Sequence, residues 1–69
     1  MIFKIVFGEI EHTGDVANAE REIAQAGGRV VKRSKIRYRS EEISFMVEAP
    51  NEQEFIARLV EMGACVDEF

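Results

Sequence analysis

Hydrophobic and polar positions alternate along residues 2–10, which is typical of a β-strand. One side of this segment is apolar and consists of Phe3, Ile5 and Phe7. The other side is mixed and consists of Ile2, Lys4, Val6 and Ile10. Because both sides are at least partly apolar, we predict a central strand.

The next segment changes to helical spacing. Its apolar positions recur every three or four residues and are Val16, Ala19, Ile23 and Ala26. Thr13-Gly14-Asp15 supplies turn and capping residues before this segment. Gly27-Gly28 is expected to end the helix, because glycine adopts the left-handed conformation at a helix end without strain.

Residues 29–39 predict a second strand. Its inward side would consist of Val30, Ile36 and Tyr38. In a regular strand, Lys32 and Ser34 would lie on this same inward side, so we expect a β-bulge or a strand start near Ser34.

A third strand and a second helix follow. Residues 43–48 alternate, with a core side of Ile43, Phe45 and Val47. Asn51 is the expected cap of the helix, and Glu54 is its capping-box partner. Gly63 ends an apolar stripe that consists of Phe55, Ile56, Leu59, Val60 and Met62. Residues 64–69 leave room for a short terminal strand.

The predicted order of elements is therefore βαββαβ. Right-handed crossovers place both helices on one side of the sheet. We predict an α+β, ferredoxin-like fold: a single domain over residues 1–69 with a four-stranded antiparallel sheet, in strand order 4-1-3-2, and two helices on one face.

The composition agrees with one small acidic domain. The chain has 69 residues, of which 46% are hydrophobic, and thirteen acidic against nine basic residues give a net charge of −4. A chain of this length buries only about 60% of its unfolded surface, which leaves room for a single core.

Targeting and cofactor signals are not found in the sequence. The apolar opening segment contains Lys4 and leads into acidic residues, so it predicts a strand and not a signal peptide. No run of about 18 uncharged apolar residues predicts a membrane span. Cys65 and His12 offer no metal-ligand spacing, so we expect no metal or cofactor. A single cysteine that cannot form an internal disulfide, together with the lack of an export signal, leads us to expect a cytoplasmic protein.

Catalysis is not expected either. A nucleophile would require Cys65 or a serine beside His12, and the predicted fold does not bring such residues together. The adjacent carboxylates of Glu41 and Glu42 would point to opposite sides of a strand. We therefore expect a binding protein and not an enzyme.

Three segments resemble ACT-type regulatory domains in order and spacing: Thr13 to Val16, Ile23 to Val30, and Phe45 to Pro50. The resemblance implies an amino-acid-sensing module that works as a dimer and binds its ligand in the loop after the first strand. The matching positions are His12, Thr13, Gly14 and Asp15. The alternative is that this loop only caps the helix.

Basic residues concentrate in residues 29–39, which contain six of the nine lysines and arginines and no acid. The other three basic residues oppose thirteen acids, so the rest of the chain has a net charge of −10. Such a strand can bind RNA or DNA phosphates. The candidate patch is Arg33, Lys35, Arg37 and Arg39. Alternatively, these charges protect a sheet edge from pairing.

Acidic residues are expected on the outer faces of the helices, at Glu20, Glu22, Glu52, Glu54 and Glu61. Carboxylates can take the places of phosphates on a basic protein surface. In size and charge the chain looks like small phage-encoded inhibitors, including anti-CRISPR proteins that imitate DNA. The leading prediction is a monomeric or homodimeric inhibitor that blocks a basic, nucleic-acid-binding surface of a partner protein.

Overall fold

The computed structural model describes residues 1–35, 39 and 41–68. Within them the elements are β1 (Ile2–Phe7), α1 (Thr13–Gln25), β2 (Arg29–Arg33), β3 (Ile43–Glu48), α2 (Glu52–Glu61) and β4 (Val66–Glu68). Ile36 and Tyr38, which were expected on the inward side of the second strand, lie outside the described residues.

Both helices pack on one side of the sheet, around a single apolar cluster. The strands contribute the residues that their alternation predicted: Phe3, Ile5, Phe7, Ile43, Phe45 and Val47. The helices contribute Val16, Ala19, Ile23, Phe55, Ile56 and Leu59. The rings of Phe3 and Phe55 meet edge to face, with their centroids 5.5 Å apart. Such a pair adds about 0.5–1.5 kcal/mol beyond the buried area, so it couples α2 to the sheet.

The sheet is less complete than the sequence predicted. β1 and β3 pair antiparallel along their whole length, and β2 pairs with the other side of β3. β4 is three residues long and meets β1 at two positions, with a register shift between them. Among the described residues, the regular part of the sheet has three antiparallel strands in the order β1-β3-β2, and β4 only extends it beside β1, in the order β2-β3-β1-β4. The prediction of a ferredoxin-like sheet of four regular antiparallel strands is therefore wrong, because the fourth strand is reduced to this short and irregular pairing. The fold is α+β, with β4 as a short addition beside β1.

The end of α2 explains why β4 is shorter than the predicted strand over residues 64–69. Gly63 has a positive φ of 76°, and the N–H of Ala64 donates a hydrogen bond to the carbonyl of Leu59 at 3.1 Å. The N–H of Val66 then donates to the carbonyl of Ala64 at 2.9 Å. These local bonds use backbone donors that a strand over residues 64–69 would have offered to β1.

A β-bulge interrupts β2 earlier than the sequence predicted. β2 pairs regularly with β3 up to Val30 and again from Lys32, so Val31 is the extra residue. The sequence placed this irregularity near Ser34. Without a bulge, Lys32 would continue the alternation of Val30 and face the core, so the bulge keeps its charge in water.

The start of α2 has its predicted N-cap, but two residues of its predicted apolar stripe are exposed. The side chain of Asn51 accepts a hydrogen bond from the N–H of Glu54 at 2.9 Å. The carboxylate of Glu54 is bonded to Arg58 instead of completing a capping box. Val60 and Met62, expected within the apolar stripe, are 60% and 40% exposed.

Candidate functional site

The two layers of the molecule carry opposite charge. α1 and α2 each contain three acids and one arginine, so the helices together contribute −4. One lysine in β1, three cations in β2 and one glutamate in β3 give the three regular strands +3. The helix layer and the sheet are therefore suited to different partners.

The predicted partner-binding acids of α1 lie on separate flanks of the helix. Glu20 and Glu22 are two residues apart, which is about 200° around a helix. Both side chains are half-buried. Glu20 accepts a hydrogen bond from Arg33 at 3.0 Å, and one carboxylate oxygen of Glu22 is buried without a hydrogen-bond partner among the described residues. α1 does not bring these two acids together.

The acids of α2 are better grouped. Glu54 and Glu61 are seven residues apart, so they lie only about 20° apart around the helix. Both are exposed, as are Ala57, which lies about 60° from Glu54 around the helix, and Val60, which lies at the edge of this side. We call these four residues the α2 outer face. Glu52 is half-buried on the flank of the helix.

One arginine borders the α2 outer face. The guanidinium of Arg58 donates to the carboxylate of Glu54 at 2.5 Å and to the carbonyl of Ala26 at 3.4 Å. An exposed ion pair of this spacing contributes only about 0.3–0.5 kcal/mol. Glu54 is thus partly neutralised, whereas Glu61 forms no ion pair with any described residue.

The predicted ligand loop, His12 to Asp15, begins α1. His12 is the N-cap residue, and Thr13 and Gly14 are exposed. The carboxylate of Asp15 accepts hydrogen bonds from the N–H groups of Glu11 and His12 at 2.9 and 3.2 Å. The bond from Glu11, more than the one from His12, lowers the pKa of Asp15. Two donors at this helix start are therefore already used by a carboxylate of the protein.

The loop and the basic strand meet in a cleft between α1 and the end of β2. Its cavity has a volume of about 590 Å³. It is lined by at least one residue from each predicted site, namely Thr13, Glu20, Arg33 and Lys35. The cleft thus offers both a carboxylate and cations to a small polar ligand.

The predicted nucleic-acid patch is not assembled on one face of the described residues. After the bulge, Arg33 pairs with Phe45 on the helix side of the sheet and reaches Glu20. Lys35 and Arg39 are exposed, and Arg37 lies outside the described residues. The predicted shared face assumed a regular strand to residue 39, and β2 ends at residue 33.

A cationic row that the sequence reasoning missed crosses the open side of the sheet, opposite the helices. The register places Lys4 beside Met46, and Met46 beside Lys32. Both lysines are exposed and Met46 is half-buried. A shallow cavity of about 200 Å³ touches all three residues. The signal in the sequence was that a regular strand would place Lys32 on the same side as Val30, facing the core. The bulge at Val31 places Lys32 on the opposite side instead.

Apolar side chains and an ion pair border this row. Ile2 is 54% and Val31 is 47% exposed. We call Ile2, Lys4, Val31, Lys32 and Met46 the open sheet face. Beside it, the guanidinium of Arg29 donates to the carboxylate of Glu48 at 2.9 Å, and this bond lowers the pKa of Glu48.

The described part of the chain has neither a metal-binding cluster nor a membrane-spanning helix. Within residues 1–35, 39 and 41–68, no group of three His, Cys, Asp or Glu side chains is placed to hold a metal ion. The thiol of Cys65 donates to the carboxylate of Glu9 at 3.0 Å. Neither described helix is long and apolar enough to cross a membrane.

Comparison with known proteins adds no family to this picture. No protein-family model, no curated protein and no solved structure matches the chain.

Proposed function

We propose that this chain is a non-catalytic binding protein that docks through the α2 outer face onto a basic protein surface. The observation that carries this proposal is the grouping of Glu54 and Glu61 beside the exposed side chain of Val60. An exposed aliphatic group among carboxylates offers a partner both apolar contact and charge. In its most specific form, the proposal is an inhibitor that covers a nucleic-acid-binding surface, as an anti-CRISPR-like DNA mimic.

The opposite net charges of the helix layer and the sheet support docking through the helix layer. The helices carry a net −4 and attract a basic partner, whereas the three regular strands carry +3 and are repelled by it. The small side chain of Ala57 allows close approach near the centre of the α2 outer face. Because exposed ion pairs are individually weak and screened by salt, we expect the binding to weaken as salt is raised.

Affinity capture followed by a competition assay tests the proposal. The protein and the variant E54Q/E61Q are immobilised and exposed to the same cell lysate at low salt. Glutamine removes the charge and keeps the side-chain length and the helix propensity. We expect the wild type to retain a nucleic-acid-binding protein that the variant loses. In a mobility-shift assay, the wild type should then displace double-stranded DNA from this partner, with roughly tenfold weaker inhibition by the variant.

The matched control is E9Q/E11Q, which removes two carboxylates from the loop after β1. It changes the net charge by the same amount as E54Q/E61Q, and its inhibition should resemble that of the wild type. Equal loss in both variants would show that total charge, and not the α2 outer face, is responsible. A partner that keeps its DNA at saturating wild-type protein and low salt would overturn the inhibitor proposal.

A second candidate function, amino-acid sensing, is favoured by the cleft between α1 and β2. Glu20 offers a carboxylate to an ammonium group, and Arg33 and Lys35 offer cations to a carboxylate. A free amino acid carries both groups, so it fits this combination of charges. Binding would have to open the ion pair between Glu20 and Arg33, whose charged atoms lie 3.0 Å apart.

A thermal-shift screen across the amino acids tests this second candidate. A ligand at 100 times its Kd adds about 2.7 kcal/mol to the free energy of unfolding, which gives a measurable rise in Tm. The rise should be lost in Lys35→Gln and kept in Lys32→Gln, which lies outside the cleft. A flat Tm across all amino acids would remove this candidate.

A further inference from the structure

We infer that the open sheet face binds the α2 outer face of a second copy of this chain, so that molecules associate head to tail. The open sheet face presents Lys4 and Lys32, and the α2 outer face presents Glu54 and Glu61. The molecule thus carries two exposed surfaces of opposite charge on its two layers. This association goes beyond the proposed docking on a basic partner: it uses the same α2 outer face, but it also depends on the open sheet face.

The charges on the two faces match in spacing. Lys4 and Lys32 are separated by β3, and neighbouring strands lie about 4.8 Å apart, so their backbones are roughly 10 Å apart. Glu54 and Glu61 are seven residues apart, which is about 10.5 Å along a helix axis. A helix laid across the strands therefore brings one glutamate to each lysine.

The apolar residues support the same arrangement. Ala57 and Arg58 lie near the midpoint between the two glutamates. Because Glu54 and the carbonyl of Ala26 hold the Arg58 guanidinium, the small side chain of Ala57 is the one that allows α2 to approach Met46, which lies between the two lysines. Val60, Ile2 and Val31 are about half exposed or more in the isolated molecule. Association of the two faces would remove these three aliphatic side chains from water, while the ion pairs set the orientation.

A symmetric dimer is less suited to either face. Two open sheet faces in contact would oppose lysines to lysines, and two α2 outer faces would oppose glutamates to glutamates. Unlike charges meet only in the head-to-tail arrangement, which leaves one unused face on each terminal molecule and continues beyond two copies. The five residues of the open sheet face include no aromatic ring on which a base could stack, which favours a protein occupant over a nucleic acid.

Sedimentation of the full chain as a function of concentration tests the inference. Contacts carried by a few ion pairs and aliphatic side chains are weak, so the useful range is roughly 10 μM to 1 mM at low salt. We expect the average mass to rise from the 7.8 kDa of one chain to beyond that of two chains. High salt should suppress this rise, because it screens the ion pairs.

Two variants each remove one face. K4Q/K32Q lacks the charges of the open sheet face, and E54Q/E61Q lacks those of the α2 outer face. Each variant alone should remain at the mass of one chain. An equimolar mixture should form a one-to-one complex and grow no further, because only one intact pair of faces is left. Thermal melting by circular dichroism verifies that both variants are folded.

The matched control is K35Q/R39Q, which removes two exposed cations outside the open sheet face and should associate like the wild type. A wild type that stays at the mass of one chain throughout would overturn the inference. So would association by either single-face variant, or a mixture that grows as the wild type does. K4Q/K32Q retains the α2 outer face and should still capture a basic partner, so failure of self-association and failure of the proposed function are distinguishable.

Discussion

The α2 outer face and the open sheet face differ in how the chain builds them. Glu54 and Glu61 share a side of α2 because seven residues make nearly two helical turns. Lys4 and Lys32 share a face only because β1 and β2 both pair with β3, and because the bulge at Val31 shifts the register. A helix face therefore follows from local sequence, whereas a sheet face depends on strand pairing between distant segments.

The two faces also differ in how their charges are compensated. On α2, Arg58 lies one turn from Glu54 and bonds to it within the same helix. On the open sheet face, neither Lys4 nor Lys32 forms an ion pair with a described residue. Lys4 and Lys32 are therefore available to an external anion, whereas Glu54 is already bonded to Arg58.

The largest expected effect is the difference in stability between a substitution on the buried side of α2 and one on its exposed side. Phe55→Ala should lower the free energy of unfolding by about 3–5 kcal/mol, because Phe55 is buried and packs against Phe3. Val60→Ala should change it by less than about 0.5 kcal/mol, because Val60 lies on the exposed side. Urea denaturation measures both. If Phe55→Ala does not fold, Phe55→Leu should still cost more than Val60→Ala, and equal effects would contradict the assignment of the two sides.

A smaller effect is expected from shortening the bulge. With Val31 deleted, Lys32 follows Val30 directly and can still pair with Met46, so strand pairing resumes without an extra residue. We expect the free energy of unfolding to change by at most about 1 kcal/mol. Cross-strand nuclear Overhauser effects between Lys32 and Met46 should persist.

An insertion provides the control for this deletion. An alanine added after Val31 shifts the alternation once more and directs Lys32 towards the core, so it should destabilise the protein more than the deletion does. A deletion variant that unfolds, or that loses the contact between Lys32 and Met46, would show that the bulge is required for the open sheet face.

The smallest effect concerns two carboxylates with lowered pKa values, one in each layer. Hydrogen bonding by the backbone N–H of Glu11 lowers the pKa of Asp15, and hydrogen bonding by the side chain of Arg29 lowers the pKa of Glu48. A folded-state pKa below the unfolded value stabilises the protein above the unfolded pKa. That stabilisation is lost as the pH falls through the folded pKa.

Added salt should change the pKa values of these two carboxylates to different extents. The ion pair between Arg29 and Glu48 is exposed, so added salt should raise the pKa of Glu48 towards its ordinary value. The pKa of Asp15 should respond less, because its main partner is a neutral backbone group. NMR titration of the carboxyl carbons at low and high salt measures both pKa values. Arg29→Gln should raise the pKa of Glu48 without added salt, and equal salt responses at both sites would contradict this explanation.

Periodicity alone predicted much of the fold. The alternation of β1 and β3 identified their buried residues, and Asn51 identified the start of α2. The terminal strand is shorter than predicted because hydrogen bonds at residues 64 and 66 close the end of α2 locally, and no side-chain pattern signals this. The candidate residues were grouped by their position along the chain, and the structure arranges them differently: Glu20 and Glu22 lie on separate flanks of α1, and Arg33 turns towards Glu20 on the helix side of the sheet.

The local features of this protein follow from its sequence: which segments are helices or strands, which side of each is buried, and the charge that each carries. These depend on the spacing of neighbouring residues, so they are visible without a partner segment. Contacts between segments that are distant in the sequence form only in the folded chain. Examples are the ion pair of Glu20 with Arg33 and the row from Lys4 to Lys32. They depend on strand register, and one extra residue at Val31 reverses which side chains face the core, because side chains alternate at every residue of a strand.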